Sequence, residues 1–594
     1  VFFLLQRADH LEVFEWVAFE RFAAAVEIGL QAAAGGQAGM PDFDTGAIYR
    51  AALSPATKLS LATPMADAYN LKARIAEKSA QEDQQLVNDL REIIVTTILK
   101  NTPKPKPGEE EKIVSALSRA HASGLLEPTL TAVLDDARIQ HLLPKKVLAN
   151  KEYIVKAYSA RVGAELETLG LIPGVQGAES WKDMSKRHIK MVKKDSYFYW
   201  RPAYAGGPSL FTQSKFVSEF ENLTGARFTG GNSVEFLIDG PAAFAAREKL
   251  IKGAKKSIHI LTWAMYDDTT GAWAAELLIA RKKEGVDIKI VVDGNVADTY
   301  GAARTLPALE AAGIQVVRLK NKARPNDGQH CKVMIVDGQE AIAGGMNFGD
   351  VYSHMGNGPK WRDTDVQFSG PAIAQAKAVF ADFWNEGVTK LGLPYGLVGA
   401  GDASSPAQGG GSRVSVVYQK PTGEARVYLG LLKAMYAAST RINIENAYLI
   451  MMPSLEVALM DALDRGVEVN IFTNSKESID TPSISGPILA SLPPLLNFGA
   501  NIYLKQEAGA TLHSKFMTVD GIFSTVSSFN FHPRSIRYEP EMTVNILDAE
   551  KTRQLEAVFL RDISQAKRIR SSSELKLPHS KLLDMVNEYF FNQL

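Results

Sequence analysis

Apolar residues recur at helical spacing from the start of the chain: Leu11, Phe14, Val17, Ala18, Phe22 and Ala25 share one face of a 3.6-residue repeat. Segments rich in Ala, Leu, Glu and Lys follow with few runs of β-branched residues, so residues 1–205 read as a helical region. Two breaks punctuate it. Residues 101–108 (Asn-Thr-Pro-Lys-Pro-Lys-Pro-Gly) read as a stiff exposed linker, and residues 171–177 as a turn. From about residue 228 short apolar strands alternate with amphipathic helices, the pattern of an α/β sheet. A Gly/Ala/Ser-rich stretch, 399–413, has little to bury and reads as a connector. The α/β pattern spans 228–398 before it and resumes over 414–575; residues 576–594 read as a helical tail.

The two α/β segments repeat one another. Ser257–Tyr266 reads as a strand, followed by a helix ending at Lys283-Glu-Gly-Val286 and the strand Asp287–Asp293. Later, Arg441–Tyr448 leads to a helix ending at Asp464-Arg-Gly-Val467 and the strand Glu468–Asn474. Gly285 and Gly466 stand 181 residues apart, and His330 and His513 stand 183 apart. A nearly constant offset over that distance indicates an internal duplication. Matched motifs in two halves predict a single site on a pseudo-twofold interface between them.

Each half contains the spacing His-x-Lys-x-x-x-x-Asp: His330, Lys332 and Asp337, then His513, Lys515 and Asp520. An asparagine stands ten residues beyond each aspartate, Asn347 after Gly344-Gly345 and Asn530 after Ser527-Ser528. On a strand, residues i and i+2 project to one face, so each strand presents an imidazole beside a cation. The two asparagines can add amide donors for the same oxyanion. Two His, two Lys and two Asn make a donor-rich cup with no set of metal-binding carboxylates, and such a cup suits a phosphodiester. One histidine can attack phosphorus while the other protonates the leaving alkoxide and later activates the acceptor. Asp337 and Asp520 close the catalytic motifs from the far end of each strand, a position suited to holding loops.

Composition narrows the partners. In 594 residues, 66 Lys+Arg balance 66 Asp+Glu, which counts against a protein that coats nucleic acid by bulk charge. The single cysteine, Cys331, rules out an intrachain disulfide and a Cys-based zinc site, and it points away from the His330–Lys332 face into a core. No apolar run of about 18 residues reads as a membrane span. Val1 stands where an initiator methionine is expected, which implies processing or trimming.

The paired His-x-Lys-x4-Asp motifs with trailing Gly-Gly-x-Asn and Ser-Ser-x-Asn resemble the phospholipase D superfamily. Gly344–Phe348, Trp361–Asp365, Thr473–Ser475 and Pro533–Ser535 narrow the likeness to bacterial cardiolipin synthases, over residues ~228–570. The resemblance implies a duplicated phospholipase D fold of two α/β lobes; it does not extend to the all-helical N-terminal domain that precedes them. It implies a phosphohistidine intermediate that needs neither metal nor cofactor, with His330 as nucleophile and His513 as general acid, or the same two roles exchanged. It also implies a downstream carboxylate that orients each imidazole, Asp363 in the first half and Glu541 in the second, with Asp365 a near alternative. The implied substrate is a membrane phospholipid, met by a bacterial protein at a membrane surface, whose phosphatidyl group passes to glycerol, phosphatidylglycerol or water. A hydrolytic phospholipase D, such as a secreted toxin or effector, is the second reading, and a nucleic-acid phosphodiesterase the third. The chain departs from the family pattern at Ser527, usually Gly, at Glu539, where Asn is common, and at His532, often Asp; the last two flank the acceptor side.

Outside the motifs, His188, His259 and His354 read as surface or core residues, and Lys567–Arg570 as a solvated run. The basic stretch Trp181–Lys194, followed by Tyr197–Trp200, fits two readings: a patch for an anionic membrane, or a solvated helix leading into a packed strand.

Overall fold

The computed structural model describes residues 81–96, 109–143, 181–193, 209–321, 327–399, 409–421 and 423–575, with isolated helical positions between 99 and 166. The expected helix around Leu11–Ala25, the segments 101–108, 171–177 and 197–200, most of the 399–413 connector and the tail 576–594 lie outside the described residues. The chain divides into two compact units, Val1–Ala178 and Glu179–Leu594.

The described part of the first unit is helical. Residues 81–96 form a helix, followed by the helices Glu109–Ala122 and Leu126–Leu134. Leu90, Ile94, Leu117, Ala120, Leu130 and Val133 are buried at helical spacing. Arg138 ties this unit together by bridging Glu92 and Asp136.

The second unit is built from two copies of one sheet. The first copy comprises β1 Thr229–Ile238, β2 Ser257–Thr262, β3 Asp287–Asp293, β4 Gln315–Leu319, β5 Val333–Val336, β6 Glu340–Gly344 and β7 Thr364–Ser369. The second comprises β8 Ser412–Gln419, β9 Arg441–Asn446, β10 Glu468–Asn474, β11 Asn501–Lys505, β12 Lys515–Val519, β13 Phe523–Ser527 and β14 Glu541–Leu547. Strand order is β1-β7-β6-β5-β2-β3-β4 in one and β8-β14-β13-β12-β9-β10-β11 in the other. In both, the last three strands are parallel and the rest antiparallel. The duplication read from the offsets is therefore a duplication of topology. The copies join through β1 and β8, with an irregular register between Thr229↔Val414 and Asn232↔Ser412.

The halves also share a core. Val333 and Ile335 of β5 fall in one cluster with Phe516 of β12, Val526 of β13, and Phe380, Phe383 and Trp384 of the helix Ile373–Leu391. Leu555 and Phe559 of the matching helix Ala549–Ser564 complete it. Deleting one such aromatic ring would cost roughly 3–5 kcal/mol, so the shared layer couples the halves firmly. Cys331 lies in this cluster, on the face away from the imidazole.

Two segments differ from the sequence reading. The helix Trp181–Lys193 belongs to the α/β unit, so the division falls at 178/179 where the helical region was expected to run to 205. Its Met184, His188 and Val192 are buried, and Trp181 stacks under the Arg537 guanidinium at 4.4 Å. Arg187 pairs with Glu424 at 2.8 Å, which leaves Lys182, Lys186 and Lys190 as the exposed stripe. Lys567–Ile569, expected to be solvated, forms β15, an edge strand antiparallel to β11. Among the described residues no helix is long and apolar enough to cross a membrane.

Candidate active site

The motif aspartates explain the local folding. β5 turns into β6 through Asp337-Gly338, and β12 into β13 through Asp520-Gly521, with φ of 53° and 65° in both hairpins. Asp-Gly suits a tight hairpin because both central residues need positive φ. The Asp337 carboxylate accepts from the backbone N–H groups of Lys255 (2.9 Å), Lys256 (2.7 Å) and Ser257 (2.9 Å). Asp520 does the same for Ser439, Thr440 and Arg441, at 2.8, 2.8 and 3.0 Å. Burial alone would raise the Asp337 pKa, but its N–H donors hold it below the usual carboxylate range. Counted with the catalytic motifs in sequence, both aspartates instead anchor the entry to β2 and β9. They stand roughly 20 Å along the strand from their histidines.

The other end of each strand builds the site. Lys332 Nζ donates to the His330 carbonyl at 2.6 Å, and Lys515 Nζ donates likewise to the His513 carbonyl. Lys515 Nζ also lies 3.0 and 3.2 Å from the two ring nitrogens of His513. Burial pulls both lysines down to about 8. Burial, and the lysine beside each ring, hold both imidazoles well below their ordinary value, so both are neutral at pH 7.

The carboxylates cross between the halves. His330 Nδ1 lies 3.1 Å from both oxygens of Glu541, in the second half, and His513 Nδ1 lies 2.7 Å from Asp363 Oδ2, in the first. Backbone contacts set this exchange. Gly328 N donates to the Tyr538 carbonyl, and Arg362 N to the Thr511 carbonyl, each at 2.9 Å, while His513 N donates to the Arg362 carbonyl at 2.7 Å. Each histidine segment therefore runs beside the carboxylate segment of the other half. Asp365, the near alternative, faces Arg247 at 2.6 Å instead.

The two carboxylates are held differently. Gly345 leaves room for Asp363: a Cβ there would fall 2.3 Å from Asp363 Oδ1. At the equivalent position Ser528 donates its hydroxyl to Glu541, which also accepts from Ser535 Oγ at 2.7 Å. Burial pushes Asp363 up to about 6, against the pull of Lys515. Burial and the nearby Glu539 charge push Glu541 up as well. Ser527, the first departure from the family pattern, bonds the Met542 carbonyl and the Phe529 N–H, both at 2.9 Å, and leaves the site undisturbed.

Asn347 and Asn530 are not equivalent. Asn347 Oδ1 accepts from Thr262 Oγ1 (3.2 Å) and Ala264 N (3.4 Å), and its Nδ2 donates to the Tyr352 hydroxyl at 3.0 Å. It braces the wall. Asn530 Oδ1 is buried with no hydrogen-bond partner among the described residues.

Residues that sequence reasoning did not assign line the mouth. The Trp361 ring stacks on His513 at 5.2 Å, with Tyr352 edge-on at 5.1 Å and Tyr448 at 6.2 Å. Trp263 stands edge-on to His330 at 6.4 Å and touches Tyr300, which is 41% exposed. His354 binds the Trp361 carbonyl through Nε2 at 2.8 Å. Only Trp361 gave a sequence signal, through its place beside Arg362-Asp363. Among the described residues one group could offer three metal ligands, His330, Glu539 and Glu541, but each is already engaged: Glu539 by Arg534, Glu541 by two serine hydroxyls, His330 by Glu541.

Comparison with known proteins follows the same residues. A family model described as "Cardiolipin synthase, PLD-like domain" matches residues 248–357 and 431–563, one segment in each half. The cardiolipin synthase of Oceanobacillus iheyensis is 29% identical over 358 residues, covering 57% of this chain and 71% of that protein. The major cardiolipin synthase ClsA of Bacillus subtilis is 28% identical over 362 residues, 59% of this chain and 73% of its own. The crystal structure of phosphatidylserine synthase from Haemophilus influenzae Rd KW20 superposes with a TM-score of 0.52 at 15% identity, covering 63% of this chain and 97% of that one. At that identity the likeness is one of fold.

Proposed function

We propose, from the premise that this chain belongs to the phospholipase D superfamily, that it is a phosphatidyltransferase of cardiolipin synthase type working through a phosphohistidine. The observation that carries this reading is the crossed pair, two neutral imidazoles each braced at Nδ1 by the other half's carboxylate, with a buried lysine bonded to the carbonyl of each histidine. A carboxylate on Nδ1 fixes the tautomer that frees Nε2 for chemistry and stabilises the imidazolium when it forms.

His330 Nε2 attacks phosphorus, the bond from phosphorus to the headgroup oxygen breaks, and that oxygen takes a proton from His513. The arriving phosphodiester anion offsets the lysine charges that keep the rings neutral, so His513, backed by Asp363, can carry the extra proton. An acceptor hydroxyl then gives its proton to His513, its oxygen bonds phosphorus, and the phosphorus–nitrogen bond breaks. Lys332 and Lys515 offset the charge that develops on the phosphoryl oxygens, to which Asn530 can add only its Nδ2–H. The rings around the mouth, with exposed Tyr300 beside Trp263, suit the interfacial layer of a bilayer. That supports peripheral contact with the membrane that holds the substrate.

Incubation with phosphatidylglycerol vesicles, followed by mass spectrometry of the lipids, tests the reading. Cardiolipin supports transfer; phosphatidic acid alone would assign hydrolysis instead, and no lipid product would exclude both. His330→Ala and His513→Ala should each abolish turnover, and full activity in either would sink the two-histidine scheme.

A further inference from the structure

Beside His330 stand two polar groups that the histidine–carboxylate pairs leave unused. The first is His532, 6% exposed. Ser535 N donates to its Nδ1 at 3.2 Å, capping the short helix Pro533–Arg537. An Nδ1 that accepts places the ring proton on Nε2, and burial holds the ring neutral, with a pKa of about 4. His532 Nε2–H is therefore a donor of fixed direction that makes no hydrogen bond to a described residue. Its ring lies 6.3 Å from Tyr448, which flanks His513 at 6.2 Å.

The second is Glu539, 8% exposed. Arg534 Nε donates to its Oε1 at 2.7 Å. Burial would favour the neutral acid, but the Arg534 guanidinium beside it holds Glu539 below the usual carboxylate range, so it stays an anion. One of its oxygens, a ring nitrogen of His330 and an oxygen of Glu541 all lie within 4.8 Å of one another. The buried Asn530 Oδ1, two residues before His532, also has no hydrogen-bond partner among the described residues.

A fixed donor beside a charged acceptor complements a molecule with two neighbouring hydroxyls. One hydroxyl donates a hydrogen bond to the carboxylate, and the adjacent oxygen accepts one from the imidazole. An ammonium would satisfy Glu539 but set its own N–H against the His532 donor. A choline brings no proton to Glu539, and a monohydric alcohol fills one group at a time.

We propose that His532 and Glu539 are specificity-determining residues that select a glycerol-type polyol as the acceptor for the phosphatidyl group. This rests on the phosphatidyl-transfer reading above.

The test uses the full chain and a p-nitrophenyl ester of phosphatidic acid in mixed micelles, with glycerol and ethanol as competing acceptors at equal concentration. Release of p-nitrophenol reports the first step with either acceptor. The ratio of phosphatidylglycerol to phosphatidylethanol, read by mass spectrometry, reports selection within each variant and does not depend on its overall rate. The wild-type ratio should exceed about ten after correction for hydroxyl number, since one lost hydrogen bond to a charged group is worth roughly that factor. Glu539→Gln and His532→Asp should bring it to about one, whereas His532→Asn should keep it within about threefold. Asp and Asn both cap a helix well, so a purely structural role for His532 would treat them alike. An unselective wild type, or full selectivity in His532→Asp, overturns the proposal. No release of p-nitrophenol by the wild type overturns the transfer reading and this inference with it.

Discussion

Replacing Asp363 with Asn should separate catalysis from stability. The carboxylate sits 2.7 Å from His513 Nδ1. With charge centres about 4.5 Å apart and an effective dielectric near 20, its attraction for an imidazolium is roughly 3–4 kcal/mol. Losing it should slow turnover by about 10²–10³-fold, and the neutral amide also permits the wrong tautomer. Stability should move the other way. Burial raises Asp363 from 3.8 to about 6 in the folded chain, so the folded state prefers the protonated acid. The stability from that preference is complete below about pH 4 and is lost as pH rises through 6. At pH 7–8 the ionised group therefore costs up to about 3 kcal/mol, which asparagine does not incur. Steady-state lipid turnover and thermal unfolding at pH 7.5, run on the same preparation, would show a nearly inactive protein with an equal or higher Tm. A variant that keeps turnover within fivefold of wild type would refute the electrostatic reasoning. One that loses activity and several degrees of Tm together would show that Asp363 holds structure instead.

Two further outcomes follow from the same geometry. Lys332 and Lys515 titrate at about 8 in the free protein because burial disfavours their charge. The cationic form that binds the phosphodiester is thus lost as pH rises, so kcat/KM should fall above about pH 8 while kcat holds to higher pH; a flat kcat/KM to pH 9.5 would contradict this. Asp337→Ala removes the partner of three backbone N–H groups at a residue with φ of 53°, and should lower stability by about 2 kcal/mol with kcat within about threefold. Loss of kcat without loss of stability, followed by denaturation and activity assays, would return that aspartate to the chemistry.

Much of the site was legible because the signals were local. His330 with Lys332, and His513 with Lys515, share a face by the two-residue period of a strand, and the Asp-Gly pairs mark the hairpins that follow. The crossing of Asp363 to His513 and of Glu541 to His330 was not, since it depends on which segments lie side by side across sequence separations of 150 and 211 residues. Asn347 and Asn530 look alike in sequence, yet Thr262 and Tyr352 occupy only the first. Lys567–Ile569 shows the limit of reading charge as solvation: an edge strand exposes one flank and accepts lysine and arginine there. The helix Trp181–Lys193 carried too many lysines to suggest burial, but Met184, His188 and Val192 fall on one face, and that face decided where it packs.

The crossed carboxylates bear on how such a chain can arise and change. A single half of this design holds a histidine without its own orienting acid, so alone it completes a site only by pairing with a second copy, at a rate set by concentration. Two copies related by a twofold axis would supply both pairs at once. Joining them in one chain removes the concentration dependence, and it releases each half from having to match itself. Asp363 beside Gly345 in one half, against Glu541 beside Ser528 in the other, is the divergence that tethering permits.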